Sequence, residues 1–204
     1  MRLSSRCVAT LLLAACATCG VAAPVTFSFT GTVTDDPFGL SSFGAPISGS
    51  YTFESTAVDA IAGPTSASYL STGAGFGFAA NVDGTPYAVS GLLSIGILNS
   101  IADQYAVIAD DGTLRLELFL EDPSAAALSG DALPLTAPAL ASFSFRQFRL
   151  FGSEVEFLGS IDTLACSAGC GAANVPEPAP LALVCAALLG LGALERRRLH
   201  RPAA

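Results

Sequence analysis

Apolar and polar side chains alternate along most of the chain between residues 24 and 174. In the first such run, threonines and a serine separate Val25, Phe27, Phe29, Gly31 and Val33. Successive side chains of a β-strand point to opposite faces of a sheet, so this period of two predicts a strand. Similar runs predict strands near residues 47–53, from 76 to 89 across an Asp83-Gly84 turn, and near 104–109, 113–122, 141–151 and 155–164.

The clearest pair of strands surrounds Asp110-Asp111-Gly112, a tripeptide suited to a hairpin turn. After this turn the leucines occupy every second position and the intervening residues are mostly charged. One face is therefore predicted to hold Leu114, Leu116, Leu118 and Leu120, and the other Arg115, Glu117, Phe119 and Glu121.

These short strands, separated by Gly- and Pro-containing turns, predict an all-β fold. Residues 23–172 are expected to form a single antiparallel β-sandwich or jelly-roll-like domain, because about 150 residues can bury an adequate core. The stretch from Asp122 to Pro138 is rich in Ala, Pro and Ser and is predicted to be a long surface loop.

The two ends of the chain differ from this middle segment. Residues 1–22 combine two arginines, a short apolar run and small residues, which predicts a secretory signal cut between Ala22 and Ala23. Leu13-Ala14-Ala15-Cys16 also matches the lipobox of a bacterial lipoprotein, and this alternative stays open. Near the other end, residues 179–194 carry no charge and are predicted to form one transmembrane helix of about 24 Å.

Charge is distributed in the same three parts. The whole chain has a net charge of −8, yet residues 24–174 contain three arginines, no lysine and fifteen acidic residues, a net −12. Arginines cluster at the ends, including Arg196, Arg197 and Arg198 in the predicted cytoplasmic tail, residues 195–204. An acidic domain repels a phosphate backbone, so a nucleic-acid partner is excluded.

The last thirty or so residues resemble the PEP-CTERM sorting signal. Val175-Pro176-Glu177-Pro178 precedes the predicted helix, and the three arginines follow it, so residues 173–204 match the order of that signal. The resemblance implies that an exosortase, a membrane-embedded processing enzyme, recognises the tail and acts near Pro176-Glu177-Pro178. It also implies a Gram-negative host that makes exopolysaccharide.

Two cysteines, Cys166 and Cys170, lie in the predicted exported domain. An oxidising compartment favours a disulfide between them. In a regular strand their Cα atoms would be about 13 Å apart, beyond bonding range, so the intervening Ser167-Ala168-Gly169 would have to turn.

Catalytic chemistry has few candidate residues here. The only histidine is His200, on the predicted cytoplasmic side, so the exported domain lacks His- or Lys-based nucleophilic schemes. Glu154 and Glu156 are predicted to share a strand face about 7 Å apart, a spacing that glycoside hydrolysis could use.

The remaining acidic and aromatic residues offer two ligand-binding alternatives, calcium and sugar. Asp35-Asp36 and Asp110-Asp111-Gly112 carry oxygen ligands for calcium, but neither shows the spaced Asp/Asn series of a calcium loop, and turn formation is the favoured interpretation. The domain has no Trp for sugar stacking, which leaves Tyr51, Tyr69, Tyr87 and Tyr105. No catalytic residue, metal site or cofactor is predicted.

The sequence therefore predicts a non-enzymatic exported protein. It would cross the inner membrane, stay anchored by its helix with the domain in the periplasm, and then reach the cell surface or extracellular matrix. Its expected partners are an exosortase, the membrane before processing, and exopolysaccharide or other envelope components of a biofilm. The alternatives are a secreted carbohydrate-active enzyme that uses paired carboxylates, or an anchored lipoprotein.

Overall fold

A computed structural model describes residues 23–61 and 63–170, and eight strands account for most of them. A one-turn 3₁₀ helix, Leu140–Ser142, lies between the sixth and seventh strands. In chain order the strands are β1 (Pro24–Asp35), β2 (Pro46–Glu54), β3 (Ser66–Val82), β4 (Thr85–Asn99), β5 (Asp103–Asp110), β6 (Leu114–Asp122), β7 (Phe145–Gly152) and β8 (Val155–Ala168).

The prediction of a β-sandwich or jelly roll is wrong, because the eight strands form one closed sheet. Each strand pairs antiparallel with the next, and β8 pairs back to β1, which closes a barrel. The strands themselves are antiparallel throughout, in agreement with the alternating sequence pattern. The predicted transmembrane helix, residues 179–194, lies outside the described residues.

Long, bent strands explain why the sheet closes instead of separating into two layers. β3 and β4 contain 17 and 15 residues, and their ladder is interrupted by a bulge between Gly73 and Gly77. Gly73, Gly75 and Gly77 have φ values of 116°, 112° and 152°, which side-chain-bearing residues rarely adopt. A bulge bends a strand, and β3 pairs with β2 only on the far side of this bend. The bend in β3 therefore curves the sheet toward closure.

Two of the predicted hairpins are confirmed. β5 and β6 pair around the Asp110-Asp111-Gly112 turn, and Leu116, Leu118 and Leu120 are fully buried. β3 and β4 turn at Asp83-Gly84 as expected, but β3 begins at Ser66, ten residues before the predicted run.

The barrel interior is filled by aromatic and branched side chains. An eight-stranded barrel is just wide enough for its inward side chains to fill. Tyr51 and Tyr105 bury their rings completely and satisfy their hydroxyl groups against each other at 3.1 Å. The largest buried neighbours are Phe27, Phe29, Phe53, Phe78, Phe148 and Phe157.

The closing seam between β1 and β8 is reinforced on its outer side by hydroxyl groups. Thr30 Oγ1 lies 2.6 Å from Thr163 Oγ1, and Thr32 Oγ1 lies 3.0 Å from Ser160 Oγ. Such cross-strand pairs each stabilise a sheet by about 0.2–1 kcal/mol. The seam therefore joins the first and last strands by side chains as well as by the backbone ladder.

The meander gives the barrel two different ends. β1 begins and β8 finishes at the same end, where Thr26 pairs with Ala168; we call it the terminal end. The long loop between β6 and β7 lies at this end too. The opposite end, which we call the turn end, carries the β1–β2 loop and the tight turns at residues 83–84, 111–113 and 153–154.

The long loop predicted after Asp122 is confirmed, and carboxylates hold its first residues. Asp122 is largely buried and accepts hydrogen bonds from Ser124 N, Ser124 Oγ and Ala126 N. Asp103 is fully buried and accepts one from Leu128 N at 2.7 Å. Leu133, Leu135 and Leu140 then pack against the core, so the loop covers part of the terminal end.

Gly49 tests how tightly the barrel interior is packed. A Cβ atom there would lie 2.5 Å from Phe29 Cζ and 2.6 Å from Ala79 O, and the backbone atom has no room to move. We expect Gly49→Ala to lower the free energy of unfolding by about 1–3 kcal/mol, as overpacking does. The measurement is urea denaturation. Gly96→Ala is the matched control, because a Cβ atom there meets nothing within 4 Å; equal losses in both variants would contradict the packing argument.

Asp122 makes the loop sensitive to acid. The hydrogen bond from Ala126 N, followed by those from Ser124, lowers the pKa of this carboxyl below its ordinary value of 3.8. A lowered pKa means that the carboxylate stabilises the fold above 3.8, and that this contribution is lost as pH falls through the native value. We expect Asp122→Asn to lower the melting temperature at pH 7, and the difference from the unmodified protein to shrink below about pH 3.

The control for this pH dependence is Asp131→Asn in the same loop, whose side chain accepts no hydrogen bond from any described residue. It should show a smaller melting-temperature difference at pH 7. A difference for Asp122→Asn that stays constant from pH 7 to about pH 2.5 would show that the charge of Asp122 is not what stabilises the loop.

Candidate functional site

Two of the three arginines in the described chain meet on the outer face of β6 and β7. Glu117 lies opposite Arg149 in the ladder, and Arg115 precedes it by two residues on the same face. Glu117 Oε2 accepts from Arg115 Nη2 at 2.9 Å, and Glu117 Oε1 lies 3.4 Å from Arg149 Nη1. The Glu117 side chain is only 8% exposed, whereas those of Arg115 and Arg149 are 41% and 32% exposed.

Other contacts fix the direction of the Arg149 guanidinium. Its Nε donates to Gln147 Oε1, and its Cζ lies 5.4 Å from the centroid of the Phe119 ring. A guanidinium at this distance is attracted by the negative face of the ring. Phe145, in turn, packs edge-on against Phe119 with a centroid separation of 6.0 Å.

Polar groups continue from this cluster toward both ends of the barrel. On one side Gln104 Nε2 donates to Glu121 Oε2 at 2.7 Å. On the other side Arg115 borders a shallow, open cleft of about 460 Å³ between the β5–β6 and β7–β8 turns. We call the outer surface formed by Arg115, Glu117, Phe119, Gln147 and Arg149 the arginine cluster.

The arginine cluster suits a ligand that is anionic or rich in hydroxyl groups. Within the cluster, two guanidiniums and one carboxylate carry one net positive charge; outside it, Asp110 lies opposite Arg115 in the β5–β6 ladder and Glu121 lies on the same face of β6. Guanidinium N–H groups favour carboxylates and other planar acceptors. The part of the guanidinium surface left exposed provides the donors.

The residues of the predicted processing sites lie mostly outside the described chain. This holds for Ala22, for Val175, Pro176, Glu177 and Pro178, and for Arg196, Arg197 and Arg198. Ala23, on the other side of the predicted cut, is described and exposed, and its carbonyl accepts from Ser55 N at the terminal end.

Cys166 and Cys170 form a disulfide in the structure. Their Cα atoms are 6.0 Å apart, because the chain turns at Gly169, whose φ is 72°. The Cys170 side chain packs against the core. The disulfide joins Cys166, near the end of β8, to Cys170, two residues past the strand, and so closes a small ring at the terminal end.

The acidic pairs considered for calcium are turn-forming residues. Asp111 Oδ1 accepts from Thr113 Oγ1, Thr113 N and Leu114 N, and the Thr113 hydroxyl contributes most to lowering the pKa of the Asp111 carboxyl. Asp36 accepts from the backbone of Phe38 and Ser41. Within residues 23–61 and 63–170, no three His, Cys, Asp or Glu side chains are grouped as a metal site would require.

The tyrosines considered for sugar stacking are directed mainly inward. Tyr51 and Tyr105 are fully buried, and this burial raises the pKa of both phenols. Tyr69 donates its hydroxyl hydrogen to Asp131 O, and Tyr87 packs edge-on against Phe157. None of the four therefore forms an open, exposed platform for a pyranose ring.

Glu154 and Glu156 are not placed as the sequence suggested. Glu154 lies in the turn between β7 and β8, and Glu156 is the second residue of β8, opposite Phe151. Only Glu156 therefore belongs to a strand face.

Comparison of the chain with protein families, curated proteins and solved structures finds no match. Among the residues that the structure describes, no helix is long and apolar enough to cross a membrane.

The arginine cluster was not predicted as a site. The alternation did place Arg115, Glu117 and Phe119 on one face of β6. The sequence did not show which strand pairs with β6. Arg149 and Gln147 join the cluster only because β7 pairs with β6 in this register. A charged residue at the centre of an otherwise regular strand was the one signal available.

Glu117 is expected to hold the two guanidiniums in place. We expect Glu117→Gln to lower the free energy of unfolding by about 1 kcal/mol, since both arginines lose their anionic partner but stay partly solvated. Chemical denaturation at low and high salt measures this loss, which should shrink as salt screens the charges. Glu156→Gln makes the same chemical change on β8, which is separated from β6 by β7; if it costs as much, the ion pairs of Glu117 are not stabilising.

Proposed function

We propose that this chain is a non-enzymatic exported protein of the cell surface or extracellular matrix, sorted through a PEP-CTERM-like tail. The observation that carries the proposal is the position of the chain ends in the barrel. β1 begins beside the last residues of β8, and the disulfide at Cys170 follows directly. The predicted secretory signal and the predicted sorting tail are therefore both connected to the barrel at its terminal end.

This arrangement suits a protein that is cut from its anchor. An exosortase acting at Pro176-Glu177-Pro178 would cleave beyond the last strand and beyond the disulfide, so every described barrel contact would survive processing. The barrel wall and the turn end stay available for contacts with the envelope.

The arginine cluster supplies the surface by which such a module would associate with envelope material. Partly exposed guanidiniums beside an aromatic ring favour carboxylate- and hydroxyl-bearing polymers, which include acidic exopolysaccharides. In this proposal the barrel is a structural or adhesive module. Because its interior is filled by side chains, envelope polymers would contact only its outer face.

The decisive experiment is mass spectrometry of the mature protein from cells that contain an exosortase. We expect the mature C-terminus to lie near Pro176 to Pro178 and the protein to be recovered with the cell-surface or polysaccharide fraction. Replacing both prolines, in Pro176→Ala/Pro178→Ala, should leave the Arg196–Arg198 block on most molecules and retain them in the membrane fraction.

Pro180→Ala is the matched control, because it removes a proline from the same segment without touching the tripeptide. It should be processed like the unmodified protein. A mature chain that still ends at Ala204 in cells with an active exosortase would falsify the sorting proposal.

A further inference from the structure

One edge of the barrel wall has no neighbouring strand in the described chain. β4 pairs with β3 along most of its length, but with β5 only from Ser94 to Asn99. The segment from Thr85 to Leu93 therefore runs toward the turn end without a ladder to β5, whose last two residues, Ala109 and Asp110, pair only with β6. No backbone group of the described residues other than those of β3 pairs with this segment. We call it the β4 free edge.

The direction of the hydrogen-bonding groups on the β4 free edge follows from the turn. A two-residue turn at Asp83-Gly84 makes the flanking pair, Val82 and Thr85, a hydrogen-bonded one. Bonded and non-bonded pairs then alternate, so the N–H and C=O groups of Ala88 and Ser90 point away from β3. Pro86 falls at the same kind of position, where its missing N–H costs no bond to β3.

The β4 free edge is held in an extended strand conformation from Thr85 to Ser90, and Gly91, with a φ of 90°, bends it beyond that point. Its inward side chains Val89 and Leu93 are buried in the core, and Tyr87 packs against Phe157. Its other edge is bonded to β3. A partner strand would therefore find the backbone ordered, with little conformational entropy left to lose.

The surface beside this edge differs from the rest of the domain in charge. Neither β3 nor β4 contains a charged residue, although residues 24–174 as a whole carry a net −12. Exposed strand edges are ordinarily protected by charges or by prolines; this one has Pro86 near its turn and no charged residue. Leu70 and Leu92 are 45% and 40% exposed on the adjoining outer face.

We propose that the β4 free edge pairs with the same segment of a second copy of this chain, antiparallel across a two-fold axis near Val89. Two strongly acidic domains repel each other when charged faces approach, and the neutral β3–β4 surface is where that repulsion is smallest. A two-fold axis at Val89 matches Thr85 to Leu93 of the second copy, which uses the whole free edge and ends where the ladder between β4 and β5 begins, at Ser94.

Antiparallel pairing also separates the charges at the tip of the hairpin. Asp83 is exposed at the turn, and a parallel arrangement would bring the two Asp83 carboxylates side by side. The antiparallel arrangement puts them at opposite ends of the shared ladder. It also places Ala88 of each copy opposite Ser90 of the other, with both side chains on the outer face.

That register can be tested by charge substitutions at Ala88 and Ser90 in the protein purified from producing cells. Ala88→Glu/Ser90→Glu sets like charges opposite each other twice, and should raise the dimer dissociation constant roughly 100-fold or more. Ala88→Lys/Ser90→Glu sets opposite charges in the same places and should restore the dimer. Sedimentation equilibrium over a range of concentrations measures the dissociation constant.

Ser48→Glu/Ser50→Glu is the matched control, because it adds the same charge to the outer face of β2, which is bonded on both sides. It should dimerise like the unmodified protein. A monomer at all concentrations, a dimer unaffected by Ala88→Glu/Ser90→Glu, or equal dissociation of the control would each overturn the proposal. The result is independent of tail processing, which is read from the mature C-terminus.

Discussion

The limited space inside a closed eight-stranded barrel is the constraint on which the rest of this structure depends. Once β8 pairs with β1, the interior has a fixed cross-section that the inward side chains must fill without overlap. Large rings such as Phe29 and Phe78 occupy it, and Gly49 lies where Phe29 leaves no room for a Cβ atom. Because the interior is filled by its own side chains, the features available for recognition lie on the outer wall.

The outer wall divides into regions of different electrostatic character. On β6 and β7 the arginine cluster concentrates cationic donors around a nearly buried carboxylate, Glu117. On β3 and β4 the wall is neutral and includes the β4 free edge. One region therefore suits anionic or hydroxyl-rich polymers, and the other suits association with a like-charged copy. In these two proposals, the polymer-binding surface and the self-association surface lie on different strands of the same closed sheet.

The alternation of residues identified strand faces well and strand partners poorly. It placed Leu116 to Leu120 in the interior because burial of alternate side chains is a local property of one strand. It missed the first half of β3, since Leu70 is exposed and Ser71 is buried there, and Gly73, Gly75 and Gly77 then separate this half from the run that begins at Phe76. Those same glycines bend the sheet. The alternating pattern carries no information about this bend, so it did not distinguish a barrel from a sandwich. The arginine cluster escaped prediction for a related reason, because it needs the register between β6 and β7.

The seam between β1 and β8 has a consequence for the time at which the protein can fold. It joins the first strand of the barrel to the last, from Thr26 with Ala168 to Asp35 with Leu158, a very large separation along the chain. Contacts of such long range make folding slow. On the proposed export route the chain would emerge from the membrane N-terminus first, and the barrel could not close until β8 had also emerged. During that interval the unclosed sheet would be the form most in need of a chaperone.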